Sequence, residues 1–131
     1  MPKIVQLIYT SVLSPSTKIS EVSAIIRVSR SRNFKFGITG VLLFDGQHFC
    51  QCIEGETDQV NRLRLNIEND NRNVAFKVIY LDAIEDQRIF SNWRAGYPMD
   101  CALGAMSDVI AAPHHKAVNV FKHLTASFDL V

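Results

Sequence analysis

Gly37-Ile38-Thr39-Gly40-Val41-Leu42-Leu43-Phe44-Asp45-Gly46-Gln47-His48-Phe49-Cys50-Gln51-Cys52-Ile53-Glu54-Gly55 is the stretch on which the fold turns. Two apolar runs flank an Asp-Gly pair. That pair supplies the positive φ angles of a tight type I′ turn, so the stretch predicts a β-hairpin. A two-residue loop sets Phe44 opposite Gln47, Leu42 opposite Phe49 and Gly40 opposite Gln51. Side chains alternate along a strand, so Gln51 shares a face with Phe49 and Ile53. A primary amide on an apolar face needs partners, because leaving it unpaired costs about 1–3 kcal/mol. A glycine opposite leaves room beside it. Either backbone and water satisfy the amide, or something else fills the gap; the hairpin alone leaves both open.

Outward from the hairpin, residues 3–11 read as a strand of mostly β-forming residues, buried on both faces, with Leu7, Tyr9 and Ser11 on one of them. Ser14-Pro15-Ser16 ends it. A helix is predicted over 20–33, with Ser20 as N-cap, Ile19 as staple residue and Val22, Ile25 and Ile26 as the inward stripe. Continued, that stripe reaches Ser29 and Asn33, so the buried face turns polar, unless these two are solvated helix-end residues. Arg27, Arg30 and Arg32 point mostly elsewhere. After Gly55, Thr57 is the expected N-cap of a second helix to about residue 69, with Val60, Leu63 and Ile67 inward and Asp70 near its end. A polar turn, 70–73, leads to a strand over 74–81. Residues 84–92 read as a connection with one helical turn. Residues 93–97 read as a short strand with Trp93, Ala95 and Tyr97 on one face, stopped by Pro98. The tail predicts a helix over 107–112 and another over 114–128, striped by Ala117, Phe121, Leu124 and Phe128.

The fold class that follows is α+β: a ferredoxin-like βαββαββ sheet with two helices on one face and the C-terminal helices covering the other. Cys50 and Cys52 then face the tail. Residues 1–98 form the expected main domain and 99–131 a helical extension packed on the sheet.

Composition narrows the function. The chain has 131 residues, 47% of them hydrophobic, which suits one domain with a proper core. A formal charge of +1 gives no field that would draw nucleic acid or an anionic membrane. No apolar run approaches the roughly 20 residues of a membrane span. No signal-peptide pattern opens the chain, and three cysteines, an odd number, suit a reducing compartment, so a cytoplasmic location is expected. Cys50-x-Cys52 lacks a second pair at zinc-like spacing, and adjacent His114 and His115 cannot share a helix face, so no metal site is read. Glu54 and Glu56 read as a solvated rim at a strand's end. No P-loop, GxGxxG or nucleophile elbow occurs. What converges between the helices and the sheet is a set of polar residues: Tyr9, Ser29, Asn33 and Gln51, with Asp70 and Arg72 at the far helix end. Neutral donors and acceptors of this kind suit a flat heterocycle with amide edges, sandwiched by Ile25 and Ile67.

Several stretches then combine. Leu7-Ile8-Tyr9-Thr10-Ser11, Ser29-Arg30-Ser31-Arg32-Asn33, Gly37-Ile38-Thr39-Gly40, Phe49-Cys50-Gln51-Cys52-Ile53-Glu54-Gly55, Val60, Asp70-x-Arg72 and Arg88-x-Phe90-x-x-Trp93 follow one another with compatible spacing. Together they resemble the BLUF domain, the family of blue-light sensors using FAD, over residues 3–96. The resemblance implies a non-covalent flavin, FAD or FMN, between the two helices on the sheet. Tyr9 resembles the family's electron and proton donor. Gln51 resembles the glutamine that bridges it to flavin N5 and C4=O, and Asn33 the asparagine on the C4=O and N3 edge. Ser29, Asp70 and Arg72 match positions on the other polar edges, and Trp93 matches the tryptophan of the last strand.

The implied mechanism is a photocycle rather than enzymatic turnover. An electron and a proton leave Tyr9 and return. Gln51 changes its hydrogen bonding by rotation or tautomerisation, and its new bond to C4=O shifts the absorption to the red. Output is expected through a separate protein partner or a homo-oligomer, by way of the C-terminal helices. Two positions depart from the family pattern. Ala95 replaces the methionine of Trp-x-Met and cannot contact Gln51 as that methionine does. Asn73 stands where histidine often follows the arginine. On the residues alone two other classes stay open: a light-independent ferredoxin-like ligand-binding regulatory module, and a flavin reductase, for which no nicotinamide site is readable.

Overall fold

The apolar run at the N-terminus forms β1 (Ile4–Leu13), and only its ends are part-exposed, as expected of a strand with neighbours on both sides. The structure, a computed structural model, describes residues 3–84, 87–98 and 106–131. After β1 come α1 (Val22–Lys35), β2 (Thr39–Phe44), β3 (His48–Glu56), α2 (Thr57–Glu68), β4 (Asn73–Ala83), β5 (Trp93–Pro98), α3 (Met106–Ala111), α4 (Ala117–Thr125) and β6 (Phe128–Leu130). The described residues form one six-stranded sheet in the order β4-β1-β3-β2-β5-β6. Neighbours are antiparallel except β2 and β5, which run parallel. The first four strands have the ferredoxin-like order, and β5 and β6 extend the β2 edge.

The hairpin forms, but its turn is displaced. Asp45 N donates to His48 O at 3.2 Å, which makes Gly46-Gln47 the two-residue loop. The Asp45 carboxylate explains the shift, since Oδ1 accepts from Gln47 N at 2.9 Å and His48 N at 2.6 Å and fixes Asp45 as the residue before the turn. Gly46, at φ +100°, takes the first central position, as in a type II′ turn. The register therefore slips by two: Phe44 faces Phe49, Leu42 faces Gln51 and Gly40 faces Ile53. A slip of two leaves every side chain on its expected face. Gly40 is required for another reason, because at φ +149° a Cβ there would collide with the Cys52 carbonyl oxygen.

Other local expectations also shift. Ser20 lies in a 3-10 turn, Ile19–Glu21, capped by Glu21 Oε2, which accepts from Lys18 N at 2.8 Å; Ile19 is exposed and staples nothing. Thr57 is the first residue of α2 and its hydroxyl donates to Lys3 O. The helical turn expected in 84–92 is absent from its described part, residues 84 and 87–92; residues 85 and 86 lie outside the described residues. The long second tail helix is instead a 3-10 turn, α4 and the strand β6. Phe128 is buried as expected, but from a strand.

Two apolar clusters sit under the helices. One joins α2 to β1 and β3 through Leu7, Ile53, Val60 and Leu63; the other joins α1 to β2, β3 and β5 through Val22, Ile26, Leu42 and Phe49. On the opposite face Ile8, Leu43, Cys50 and Cys52 are covered by Val109, Ala117, Phe121 and Leu124 of the tail. The free thiols of Cys50 and Cys52 are thereby buried, and burial pushes both well above their ordinary pKa. No helix among the described residues is long and apolar enough to cross a membrane.

Candidate functional site

Register brings the central residues together. Tyr9 of β1 pairs directly with Gln51 of β3, and Gln51 with Leu42 of β2, which pairs with Ala95 of β5. Tyr9 and Gln51 thus share the helix-side face, in the seam between the two apolar clusters. Gln51 is 4% exposed and both ends of its amide are satisfied. Trp93 Nε1 donates to Gln51 Oε1 at 2.8 Å, and Gln51 Nε2 donates to the Tyr9 hydroxyl at 2.7 Å. The orientation of the amide follows from chemistry: an indole N–H only donates, so the amide oxygen must face it and the NH₂ must face Tyr9. Burial pushes the Tyr9 hydroxyl far above the usual phenol range, and the bond from Gln51 offsets part of that rise. Phe76 stacks on the Tyr9 ring with centroids 4.9 Å apart.

Above this row, α1 and α2 part to form an open cleft of about 690 Å³, solvent at its mouth included. Tyr9, Ile25, Ser29, Asn33, Gln51, Ile67, Asp70 and Arg72 all line it. Ser29 and Asn33 are not frayed helix-end residues: Asn33 is 2% exposed and Ser29 is half-buried. The polar end of the α1 stripe therefore faces the cleft. At the mouth Arg72 grips Asp70, with Nη2 to Oδ2 at 2.6 Å, and this bond holds the Asp70 carboxyl below its usual range. Trp93 is not a lining residue; its indole touches the cleft floor only through its bond to Gln51.

The structure adds Asn66 and Ser11, which sequence reasoning passed over, to the cleft lining, together with Asn73. Arg32, expected to point mostly elsewhere, also lines the cleft, because its long side chain reaches over from the flank of the α1 stripe. Asn66 follows Leu63 and precedes Asp70 at helical spacing, and Ser11 shares a strand face with Tyr9, so both signals were present. Among the described residues, Ser11 Oγ, Arg32 Nε and Asn73 Oδ1 are buried without a hydrogen-bond partner. Buried polar atoms are nearly always paired, so three orphans around one cleft point to a polar ligand. Asn73 Nδ2 donates to the Ile67 and Asp70 carbonyls, which ties the turn after α2. Arg30, expected to point away, has its guanidinium 5.6 Å from the centre of the Trp93 ring.

Glu54 is the clearest correction. It is not on a solvated rim but fully buried. Its carboxylate accepts from Gln6 Nε2 (2.9 Å), Ile89 N (2.8 Å), Phe90 N (2.9 Å) and Thr39 Oγ1 (3.3 Å). Arg88 Nη1 adds a bond to Gly37 O at 2.6 Å. The segment leading into β5 is thus tied to the sheet, and with it the start of the strand that carries Trp93. Glu56 is exposed, as expected.

The chain that carries this tyrosine–glutamine–tryptophan row is similar to known proteins over most of its length. The family model described as sensors of blue-light using FAD matches residues 4–96. This chain belongs to the BLUF family. It is 28% identical over 117 residues to the blue light- and temperature-regulated antirepressor BluF of Escherichia coli, covering 88% of this chain and 28% of that protein. It is also 28% identical over 108 residues to the photoactivated adenylate cyclase subunit beta of Euglena longa, covering 82% of this chain and 12% of that one. Among solved structures, the dark state of the BLUF protein BlrB superposes with a TM-score of 0.78 at 28% identity, covering 96% of this chain and 97% of that chain. The BLUF assignment makes the chain a flavin-binding blue-light sensor, and the ferredoxin-like α+β fold read from the hairpin outward agrees with the BlrB structure.

Proposed function

We propose that the cleft holds the isoalloxazine ring of FAD and that Tyr9, Gln51 and Trp93 form a hydrogen-bond switch operated by blue light. One observation carries this reading: the Tyr9 hydroxyl, the Gln51 amide and Trp93 Nε1 make a continuous chain of bonds of 2.7 and 2.8 Å beneath the cleft. The residues fit such a ring. Ile25 and Ile67 offer apolar contacts from the two helices, Asn33, Ser29 and Gln51 offer donors and acceptors, and the orphaned atoms of Ser11 and Asn73 await partners.

The bound flavin supplies a ring that blue light turns into a reversible acceptor of one electron and one proton. Tyr9 gives up its phenol proton together with an electron, because its buried surroundings oppose a lone charge. Tyr9 then recovers both. Gln51 meanwhile changes partners by rotation or tautomerisation. After rotation Oε1 accepts from the Tyr9 O–H, and the NH₂ group meets Trp93 Nε1–H, donor against donor, so the Trp93 bond is lost. Each exchanged bond is worth only about 1 kcal/mol net, which suits a two-state element. The domain then senses rather than turns over substrate, and its output goes to a protein partner in trans or through self-association. Residues 1–98 make the sensor domain and 99–131 the extension that carries the output. Buried free thiols at Cys50 and Cys52 support a cytoplasmic location.

The test is an absorption spectrum of the purified protein in darkness and under blue light. A flavin band that moves to the red and recovers in darkness is expected. Gln51→Leu should keep the flavin and lose the shift, and a normal shift in that variant would sink the mechanism. Tyr9→Phe should abolish the light response; an unchanged response removes Tyr9 from its role. Chromatography of the extracted cofactor should give FAD, and FMN alone would replace it.

A further inference from the structure

The short edge strand β6 closes on β5 beside the switch. Gly96 pairs with Leu130 and Tyr97 with Asp129. One residue further, Val131 N donates to Ala95 O at 2.7 Å and Ala95 N to Val131 O at 3.3 Å. The Val131 carbonyl has a second donor, Arg30 Nη2 of α1, at 3.1 Å. The same guanidinium lies 5.6 Å from the centre of the Trp93 ring. Arg30 therefore touches both the indole that donates to Gln51 and the carbonyl that anchors β6. Ala95 has no side chain long enough to relay a change from Gln51, whereas the Trp93 ring and Arg30 make a continuous physical path. The far end of β6 is also connected: Phe128 is buried with Phe121 and Leu124 of the tail. A second arginine, Arg94 of β5, donates through Nη2 to Leu130 O at 3.1 Å. A three-residue edge strand held by a few backbone bonds and two exposed arginines belongs to the low-stability end of a fold, where a small change of partners is enough to open it.

We infer that the hydrogen-bond state of Gln51 is read out by the pairing of β6 on β5, with Arg30 as the positioning residue that couples Trp93 to Val131. This rests on the switch proposed above. When the amide turns over, Trp93 Nε1 loses its acceptor, the ring shifts beneath Arg30, and the guanidinium no longer reaches both of its contacts. Val131 then opens from Ala95, and the tail is released from one edge.

The experiment measures amide hydrogen exchange at Val131 and Ala95 in the full chain with its flavin, in darkness and under blue light. Exchange at both positions should be faster in the lit state. Arg30→Ala should make exchange fast in darkness too, erase the light–dark difference and change the dark recovery about two- to fivefold, the weight of one exposed cation–π contact, while the red shift persists. Trp93 is the chain's single tryptophan, so its fluorescence reports the site directly; it should change in Arg30→Ala and return in Arg30→Lys, even without flavin. Gly96→Ala sets a Cβ 2.5 Å from Leu130 Cδ2, 3.2 Å from Phe128 Cβ and 3.3 Å from Leu43 Cδ2, which crowds the β5–β6 seam without touching Arg30; it should alter the recovery in the same direction as Arg30→Ala. A red-shifted lit state with dark-like exchange at Val131 and Ala95 overturns the inference alone. A protein with no red shift overturns it together with the switch.

Discussion

Gln51 and Glu54 stand three residues apart on β3 and point to opposite faces of the sheet. Both are buried polar side chains in an apolar setting, and the sheet treats them differently. The Glu54 carboxylate accepts from four donors supplied by β1, β2 and the segment before β5. No single rotation satisfies those donors in another way, so Glu54 has one arrangement. The Gln51 amide has two partners, one at each end, and a hydroxyl is one of them. A hydroxyl both donates and accepts, so the Tyr9 end is satisfied with either end of the amide facing it. Only the Trp93 bond tells the two orientations apart. Rigidity here comes from an excess of donors, and switching comes from a bare sufficiency of them.

The comparison breaks most sharply at Glu54. Glu54→Ala leaves two backbone N–H groups and the Gln6 amide without an acceptor, and should destabilise the fold by about 3–5 kcal/mol in denaturant titration. A loss below about 1 kcal/mol would mean that the clamp is redundant. Alkaline pH comes next. Burial raises the pKa of Cys50, Cys52 and Tyr9, so above about pH 9 the unfolded chain loses protons that the folded chain keeps. Stability is therefore fully present below that pH and falls as pH rises, by about 1.4 kcal/mol per pH unit for each titrating group. A denaturation midpoint that stays flat from pH 8 to pH 10.5 would contradict the burial of the thiols. The smallest expected effect is on the switch side. Trp93→Phe removes one donor and should cost only about 1–2 kcal/mol, while the dark orientation of Gln51 loses its selector. The red shift should survive with altered recovery, and an unaltered recovery would show that Trp93 does not choose the orientation.

Much of the site was readable because strand and helix periods act locally. Period two placed Tyr9 and Gln51 on inward faces, and period 3.6 carried the α1 stripe from Ile25 and Ile26 to Ser29 and Asn33. The hairpin was readable, but its register was not, because the Asp45 side chain could act at the centre of the turn or just before it, and only the hydrogen bonds to Gln47 and His48 chose. Phe128 was misread because a buried aromatic at helical spacing after Leu124 meets the same demand for burial from a helix or from a strand. Glu54 was misread because an acidic residue near a strand's end is usually solvated, and nothing near it in sequence announces the amides of Ile89 and Phe90.

By itself the sequence determined which face of each strand and helix turns inward and near which residues the chain reverses, since these follow from side-chain period and local backbone chemistry. Only the tertiary structure decided who meets whom. Gln51 and Trp93 are 42 residues apart, Glu54 and Ile89 are 35, and Arg30 and Val131 are 101. Such pairs depend on the register of strands and the docking of helices, and those depend on the whole set of contacts forming together, so no local stretch of the chain encodes them.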